Sequence, residues 1–358
     1  MIFAAVPPQE AEGATLAHSV ALPKGRIAKG TVLGPGHVAT LSNAGVGLVE
    51  VALAEPGDVH ENGAAARIAV ALTRGPRELA AERATAGRVN LRAASNGLFL
   101  PDRAAIDRLN AIDPRVGLAT LPDATRVGAG ELVATLKIVP FFLPELVVEA
   151  WGGGGQPALR VARWVAYRPS GLFGPARVAH ISTTLPNVKE SVLDKTRRVF
   201  ADRLAPTGAA LLDEVRVPHE REALARALRG AKADLVVVFG ASAVTDERDV
   251  VPAAITMAGG RVERVGMPVD PGNLLVLSGI GDMPVLGAPG CARSPARNGF
   301  DLVLDRLIAG VPVASADIAA MGVGGLLKEA PRPQPREGDG PGRSDATHAD
   351  EGTDADDG

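Results

Sequence analysis

Two short loops in this sequence combine small residues with side chains that bind phosphate groups. The first loop covers residues 240–249 and the second covers residues 287–295. Glycine allows backbone N–H groups to approach an anion closely, and a helix that begins after such a loop adds positive potential. In the second loop, Arg293 and Ser294 supply a guanidinium and a hydroxyl, which donate well to phosphate oxygens. The two loops therefore predict a site for an anionic ligand.

The same residues also have structural interpretations, and the sequence alone leaves both open. Gly240 can serve a tight strand-to-helix turn, and the Pro-Gly pair at 289–290 can form a rigid turn. Asp249 stands just before a predicted helix, where a carboxylate can cap the first turn. Asp246 is by default an exposed loop residue, although its oxygens suit a divalent cation.

Alternating strand and helix patterns surround these loops. The predicted strands are 176–183, 211–217, 235–239 and 261–266, the predicted helices are 190–205, 219–229, 249–258 and 298–309, and a hairpin-like pair lies at 274–277 and 284–287. Repeated strand-helix units predict an α/β fold with a doubly wound, mostly parallel sheet in a three-layer αβα arrangement. In such a sheet, ligands bind outside the carboxyl ends of the strands. The two loops lie there, beside residues 182–186 and 218–220.

The regions outside this domain differ in composition. Residues 1–170 contain short apolar runs broken by Gly and Pro, which predict a β-rich region. Its predicted elements are strands at 47–51, 97–100 and 131–139, a helix at 102–111 and a flexible glycine link at 152–155. Residues 313–330 are a C-terminal extension. Residues 331–358 are an acidic tail that we expect to be disordered, because it has no large apolar residue to bury.

Composition and charge exclude several classes of protein. The net charge of −3 gives no general attraction to nucleic acid or to an anionic membrane, and no apolar run approaches the length needed to cross a bilayer. The N-terminus lacks the basic start of a signal peptide, so we expect a cytoplasmic protein. Cys291 is the sole cysteine, which excludes an intramolecular disulfide and a cysteine-rich zinc site.

Both loops carry recognisable motifs. The first loop and the helix after it read FGASAVTDERDVVPAA at 239–254, and the second loop reads GAPGCARS at 287–294. They resemble the T-G-G-[TS]-G…R-D-V-T-P-E-A and G-L-P-G-N-P-x-S motifs of the molybdenum-cofactor biosynthesis domain. That domain occurs in molybdopterin adenylyltransferase and in molybdopterin molybdotransferase. The resemblance covers residues 175–312, where the motifs and the succession of elements follow the family's order, and it implies a molybdopterin-binding domain.

The resemblance also implies a role for individual residues. Gly240 and Ser242 would line the pterin and phosphate pocket, and the second loop would hold the phosphate. The residues implied to bind molybdopterin are Thr183, Thr184, Gly240, Ser242, Pro289, Gly290, Arg293 and Ser294. Asp249 matches the family's acidic residue near the phosphate, so it is the candidate catalytic residue and, with Asp246, a candidate ligand of Mg²⁺. Molybdate is a further implied cofactor.

A weaker resemblance extends toward the N-terminus. Residues 12–18, 30–33 and 41–51 are similar to pieces of the N-terminal region of the molybdotransferase. Residues 1–330 as a whole are similar to a bacterial group of molybdopterin-binding proteins. The partners implied are molybdopterin or its nucleotide form, a separate nucleotidyltransferase or a molybdenum enzyme, and further copies of the chain in a homo-oligomer.

Three positions depart from the family motifs. His219 stands where the family has an Asp after the second strand, Ala241 replaces the second glycine of the first loop, and Cys291 replaces an Asn. An imidazole does not simply replace a carboxylate as a metal ligand in a phosphate reaction. Cys291 is interpreted as a small filler rather than a nucleophile, because no His lies nearby in the sequence.

Three hypotheses about function follow. The first is a transferase that adenylates molybdopterin or inserts molybdenum with Mg²⁺. The second is a binding protein that carries or hands over the cofactor without catalysis, and the missing carboxylate at His219 favours it. The third is a nucleotide-binding protein of the Rossmann type, which the absence of a G-x-G-x-x-G motif after the first strand of the domain argues against.

Overall fold

A computed structural model of the chain describes residues 1–74, 78–153 and 158–327. Its strands are β1 (Ile2–Val6), β2 (Thr15–Leu16), β3 (Val20–Ala21), β4 (Arg26–Ile27), β5 (Val49–Leu53), β6 (Asp58–His60), β7 (Leu79–Ala81), β8 (Arg88–Ala93), β9 (Gly97–Pro101), β10 (Val116–Thr120), β11 (Thr125–Val127), β12 (Leu132–Ile138), β13 (Phe142–Pro144), β14 (Leu159–Arg163), β15 (Ala166–Tyr167), β16 (Phe173–Gly174), β17 (Arg177–Thr184), β18 (Ala210–Pro218), β19 (Leu235–Phe239), β20 (Arg261–Val265), β21 (Val276–Ile280) and β22 (Met283–Ala288).

The described residues also form α-helices in both halves of the chain. They are α1 (Pro35–Asn43), α2 (Glu61–Leu72), α3 (Arg103–Asn110), α4 (Glu145–Gly152), α5 (Glu190–Leu204), α6 (Arg221–Gly230), α7 (Val250–Met257), α8 (Gly299–Ile308) and α9 (Ser315–Ala319). Short 3₁₀ turns lie at Pro8–Glu10, Ala205–Thr207, Gly290–Arg293 and Ala320–Gly322. Within the described ranges, no helix is long and apolar enough to cross a membrane.

The C-terminal half of the chain is built on one six-stranded sheet. Its strand order is β18-β17-β19-β22-β21-β20. Strands β17, β18, β19 and β22 pair in parallel, whereas β21 is antiparallel to both of its neighbours. This order confirms the predicted doubly wound, mostly parallel sheet, and β21 with β22 is the predicted hairpin.

Helices cover both faces of this sheet, because its central strand is apolar throughout. Every side chain of β19 is buried, and successive side chains alternate between two cores. Val237 and Phe239 pack on one face with Phe200 of α5 and residues of α8. Val236 and Val238 pack on the opposite face with α6 and α7. The arrangement is the predicted three-layer αβα.

The N-terminal region is β-rich, as predicted, but it also contains helices that the sequence analysis missed. Its larger sheets have the strand orders β1-β5-β2, β10-β12-β8-β7 and β11-β9-β14. Of its helices, α3 was predicted, whereas α1, α2 and α4 were not. The buried positions of α2 follow helical spacing, but half of them are the alanines Ala64, Ala65 and Ala69. Alanine gives little hydrophobic contrast, so the period was easy to overlook.

The N-terminal region and the sheet domain share one core. Leu98 and Trp164 of the N-terminal region pack in the same buried cluster as Phe300 of α8. Arg126 on β11 also reaches across, and its guanidinium donates to both carboxylate oxygens of Asp305 at 2.9 and 2.5 Å. Because packed side chains and a buried ion pair join them, the two regions are expected to behave as one body.

Three predicted segments lie wholly or partly outside the described residues, one of which is the C-terminal extension at 313–330, described only as far as residue 327. Residues 154 and 155 of the predicted glycine link are among them, and so is the acidic tail at 331–358. The chain on both sides of the link belongs to the N-terminal region, because α4 ends at Gly152 and β14 pairs with β9. The link therefore lies within this region and does not lead into the sheet domain.

Candidate functional site

Thr183, the next-to-last residue of β17, connects the loops that follow β17, β18 and β19 at the carboxyl edge of the sheet. The backbone N–H of Ala241 donates to Thr183 Oγ1 at 2.8 Å, and the same oxygen lies 2.8 Å from His219 Nδ1. Thr183 itself is fully buried. Its hydroxyl therefore fixes the loop after β19 and the imidazole after β18 relative to each other.

These hydrogen bonds also determine how His219 presents its ring. Burial lowers the pKa of His219, and the charge of Asp249 only partly opposes this, so the ring is neutral at pH 7. Thr183 Oγ1 accepts the Ala241 N–H, and toward His219 Nδ1 it can act either as donor or as acceptor, so this contact is compatible with both tautomers of the ring. In both tautomers Thr183 occupies Nδ1, and only Nε2 of the neutral ring is left for a ligand.

Arg293 places a positive charge where the two predicted loops meet. Its guanidinium donates to Gly240 O at 2.7 Å and to Thr196 Oγ1 of α5 at 3.0 Å. It also lies 5.6 Å from the centre of the Phe239 ring. Among the described residues it forms no ion pair, and burial lowers its pKa although a guanidinium stays protonated in proteins. A half-buried cation without a carboxylate partner suits an anionic ligand.

A second arginine, Arg203 on α5, shapes the loop after β22 from beneath. It donates to Asp301 Oδ1 at 2.6 Å and to the carbonyl oxygens of Ala292, Ser294 and Ala296 at 3.0, 3.0 and 3.1 Å. Because the C=O and the N–H of one trans peptide group point in opposite directions, a carbonyl drawn toward Arg203 turns the N–H of the next residue away from it. The loop conformation thus depends on a buried charge.

Sequence reasoning missed Arg203, although a signal for it exists. Thr196, Phe200 and Arg203 follow one another at intervals of four and three residues, and all three are buried on one face of α5. An arginine on an apolar helix face requires buried partners. By contrast, Lys195, Arg197 and Arg198 on the same helix are exposed.

The two candidate metal-binding carboxylates are both engaged locally. Asp249 caps α7, accepting from Val250 N at 2.7 Å and from Thr245 N at 3.2 Å. Asp246 is exposed and pairs with Arg248 at 2.7 Å. In the described part of the chain, no three His, Cys, Asp or Glu side chains come together as a metal site would require. The structural interpretation of Asp249 as a helix cap is confirmed, and its part in chemistry stays a prediction.

The other predicted ligand residues surround the same edge with different exposures. Gly290, Ser242 and Ser294 are exposed, whereas Pro289 is buried. Thr184 lies at the end of β17, where its hydroxyl donates to Val217 O at 3.2 Å. The exposed residues leave two hydroxyls and a glycine backbone available at the surface of the site.

Cys291 lies in the loop between these residues and is half-buried. Burial raises the pKa of its thiol, so little thiolate forms at neutral pH. No His is among its hydrogen-bonding partners in the described residues; its carbonyl accepts from Asn298 Nδ2 at 3.2 Å. These observations agree with a filler role rather than a nucleophilic one.

The glycines of the two loops differ in what a side chain would meet. A Cβ on Gly240 would lie 2.9 Å from Ser242 O, so this glycine is required by the tight turn after β19. A Cβ on Gly287, within β22, would lie 2.8 Å from Val276 Cβ on the neighbouring strand. A Cβ on Gly290 would meet nothing within 4 Å. The fold therefore explains Gly240 and Gly287 but leaves Gly290 without a steric reason.

Alanine substitutions should separate these cases. Gly287→Ala is expected to lower the free energy of unfolding by about 1–3 kcal/mol, because the added methyl overpacks the strand pair. Gly290→Ala should change it by less than about 0.5 kcal/mol. Urea unfolding of both variants measures the difference. Equal destabilisation by the two substitutions would show that the loop is tighter than described.

A buried polar network lies below the site on the α5 face of β17 and β18. Ser182 Oγ donates to Glu214 Oε1 at 2.6 Å and lies 3.1 Å from His180 Nε2. His180 is fully buried against Phe200 and Phe239, and its Nδ1 has no hydrogen-bond partner among the described residues. Because the Ser182 proton goes to Glu214, His180 donates from Nε2 and is a neutral ring.

This network should make stability depend on pH. Burial lowers the pKa of His180 to about 4 from a usual value of 6.5, so the folded state binds fewer protons than the unfolded state between these values. The free energy of unfolding therefore falls as the pH is lowered from about 6.5 to about 4, by about 3 kcal/mol in total. His180→Gln should lose this part of the pH dependence, measured by urea unfolding at about pH 7.5 and about pH 5.

An exposed histidine provides the control for that experiment. His18 is 65% exposed and forms a surface ion pair with Glu50. Because exposed pairs contribute little, His18→Gln should keep nearly the pH dependence of the wild type. If His180→Gln retains the full wild-type dependence, His180 does not titrate as its burial requires.

Comparison with known proteins agrees with this geometry. Residues 178–317 match a family described as a probable molybdopterin binding domain. The match spans the six-stranded sheet and both candidate loops. Residues 5–52 match a second family, a domain of unknown function. A search of curated proteins gives no match.

Solved structures give low-level similarities. One is a molybdopterin biosynthesis MoeA protein from Pyrococcus horikosii, with 13% identity over 86% of this chain and 75% of that chain and a TM-score of 0.30. Another is a molybdenum cofactor biosynthesis protein B, with 20% identity over 37% of this chain and 94% of that chain and a TM-score of 0.28. A third, a molybdenum cofactor biosynthesis protein from Pyrococcus furiosus, has 12% identity over 89% and 65% and a TM-score of 0.24. At these scores the similarities carry no functional argument.

Proposed function

We propose that this protein binds molybdopterin, or its nucleotide form, at the carboxyl edge of the six-stranded sheet. It would serve molybdenum-cofactor biosynthesis as a carrier that hands the cofactor over. The family match of residues 178–317 supports the ligand class. The observation that carries the proposal is Arg293, whose half-buried guanidinium joins the two loops and forms no ion pair within the described residues.

The chemistry of the exposed groups fits a phosphate-bearing pterin. Arg293 and the hydroxyls of Ser242 and Ser294 are donors suited to phosphate oxygens. Gly290 leaves open space in which a ligand can approach the backbone. His219 adds a neutral imidazole at the same edge. Gly290→Ala is therefore a useful binding variant, because it should weaken ligand binding without altering the fold.

The residues fit Mg²⁺ less well, and this favours a carrier over a transferase. Asp249 uses one oxygen to cap α7 and the other to accept from Thr245 N in the preceding loop, and Asp246 is paired with Arg248. His219, at the position of the family's second carboxylate, uses Nδ1 for Thr183. A Mg²⁺ site at phosphates needs carboxylate oxygens directed at the ligand. An active adenylyltransferase or molybdotransferase is the alternative, and molybdate binding stays a prediction.

Partners and assembly follow from the proposal as predictions. A carrier requires a protein that receives the cofactor, so a separate nucleotidyltransferase or a molybdenum enzyme is the expected partner. We also predict that the chain forms a homo-oligomer in the cytoplasm. Sedimentation of the purified full chain would measure the oligomeric state directly.

The test is whether the full chain retains pterin. The protein would be purified from cells that make molybdopterin, oxidised, and assayed for pterin fluorescence, with the same cells lacking the protein as the background. Stoichiometric pterin supports the proposal. Absence of pterin, together with no saturable binding when molybdopterin is added to the purified protein, would refute it.

A further inference from the structure

A cavity lies at the junction of the N-terminal region and the sheet domain. It measures about 250 Å³, and its walls include Arg126, Val199, Asp202, Arg203, Arg297 and Asp301. Arg126 comes from β11 of the N-terminal region, whereas the other residues come from α5, α8 and the segment before α8. Pro295, the last residue of the second loop, also lines it, whereas Arg293 and Gly290 do not, so the cavity adjoins the proposed molybdopterin site without sharing its arginine.

The cavity contains more arginine charge than its buried carboxylates balance. Arg203 has its own partner, Asp301, at 2.6 Å. Arg126 and Arg297, in contrast, share Asp305, at 2.5 and 3.6 Å. Asp305 is fully buried, and burial raises its pKa, which shows that its environment disfavours the charged form. Two guanidiniums therefore rely on one poorly solvated carboxylate.

Both of these guanidiniums remain accessible from the cavity. The side chains of Arg126 and Arg297 are 24% and 45% exposed. Arg297 donates to Ala124 O at 2.8 Å, which leaves further N–H groups of a five-donor guanidinium. Asp202 also lines the cavity, but its carboxylate is exposed, so solvent and salt screen its repulsion of an anion. An anion in the cavity would meet N–H donors from two sides.

We propose that this cavity binds a tetrahedral oxyanion of the phosphate type between Arg126 and Arg297. A guanidinium matches such an anion with two parallel hydrogen bonds, and two guanidiniums can hold it from both regions of the protein. The anion is either free or the terminal phosphate of a larger ligand. The proposal does not depend on molybdopterin binding.

An anion bound in this cavity would also affect the second loop, which belongs to the proposed cofactor site. Arg126 Nη1 donates to the carbonyl oxygen of Arg203 at 3.1 Å, and the Arg203 guanidinium holds the carbonyls of Ala292 and Ser294. An anion on Arg126 and Arg297 would therefore strengthen contacts that fix this loop. We expect the anion to raise the thermal midpoint of the full chain as its concentration increases.

The experiment titrates inorganic phosphate into the full chain and follows binding by phosphorus NMR and by the thermal midpoint. Arg297→Gln should weaken the affinity by roughly tenfold or more, because it removes one charged donor. Val199→Glu should weaken it similarly by placing a carboxylate in the cavity. Val199→Gln has the same shape without the charge and should bind as the wild type does. Ribose 5-phosphate, titrated in parallel, distinguishes a free anion from the phosphate of a larger ligand.

The outcomes separate this site from the other one. Arg293→Gln should leave phosphate binding at the cavity intact. If Arg293→Gln abolishes saturable binding while Arg297→Gln does not, the anion binds at the cofactor loops and the proposal is wrong. It is also wrong if the wild type shows no saturable binding, or if Val199→Glu and Val199→Gln bind equally, because the arginines would then serve only to join the two regions.

Discussion

Arg293→Ala is expected to weaken molybdopterin binding by about 1.5–3 kcal/mol, or roughly 10- to 150-fold in Kd, the range of a charge-assisted hydrogen bond. The guanidinium is the charged donor at the meeting point of the two loops, and no carboxylate in the described residues neutralises it by an ion pair. Fluorescence titration of molybdopterin into wild type and variant measures the change.

The controls must separate the structural role of Arg293 from its role in ligand binding, because its guanidinium also donates to Gly240 O and to Thr196 Oγ1. Thr196→Val deletes one of these contacts but keeps the charge, so it should weaken binding far less than Arg293→Ala. Arg293→Lys keeps the charge but loses the planar fork and should be intermediate. Unchanged affinity in Arg293→Ala, with a native thermal midpoint, would remove Arg293 from the binding site.

The sheet domain could be predicted from the sequence because its elements are strongly periodic. β19 is apolar at every position, and its neighbours alternate with helices whose apolar stripes have the expected spacing. Local spacing fails where an element extends beyond the core. Val192 shares the helical spacing of Phe200, yet it is 44% exposed, whereas its neighbour Leu193 in the same turn of α5 is buried.

The contacts that define the site could not be predicted in the same way. Thr183 and His219 are 36 positions apart, and their hydrogen bond arises only because β17 and β18 pair in parallel with a register shift after Val178. The sequence indicated that both residues end strands, which placed them at one edge. The sequence does not show which atoms of Thr183 and His219 meet, and it does not show the tautomer of His219 either.

Of the two arginines at the second loop, only Arg293 could be assigned a role from the sequence. Its residue type and its position in the second loop indicated phosphate binding, and the structure places it at the junction of the loops. However, the contribution of Arg203 depends on three carbonyl oxygens converging on one guanidinium. Backbone orientation of this kind depends on tertiary structure, so sequence patterns alone do not reveal it.

Adenylation of molybdopterin should be at least roughly 1,000-fold slower in this protein than in a molybdopterin adenylyltransferase. A Mg²⁺ clamp on phosphates contributes several kcal/mol to the transition state, and each 1.4 kcal/mol or so is about tenfold in rate. Here Asp249 caps α7 and His219 replaces the second carboxylate, so transition-state stabilisation should fall more than ligand binding. The assay supplies molybdopterin, ATP and Mg²⁺ and follows pyrophosphate release for both proteins.

Substitutions at His219 and Asp249 show whether the missing carboxylate is the reason for the slow adenylation that we expect. His219→Asp should raise the turnover above that of His219→Asn, because the two variants have the same shape and differ in charge alone. Asp249→Asn keeps an oxygen that can cap α7, so it tests the charge of Asp249 without removing the cap. Wild-type turnover at a rate comparable with the adenylyltransferase, lost in Asp249→Asn, would contradict the carrier proposal. In that case Asp249 would hold the metal while capping the helix, and the protein would be an active transferase that uses one carboxylate where its relatives use two.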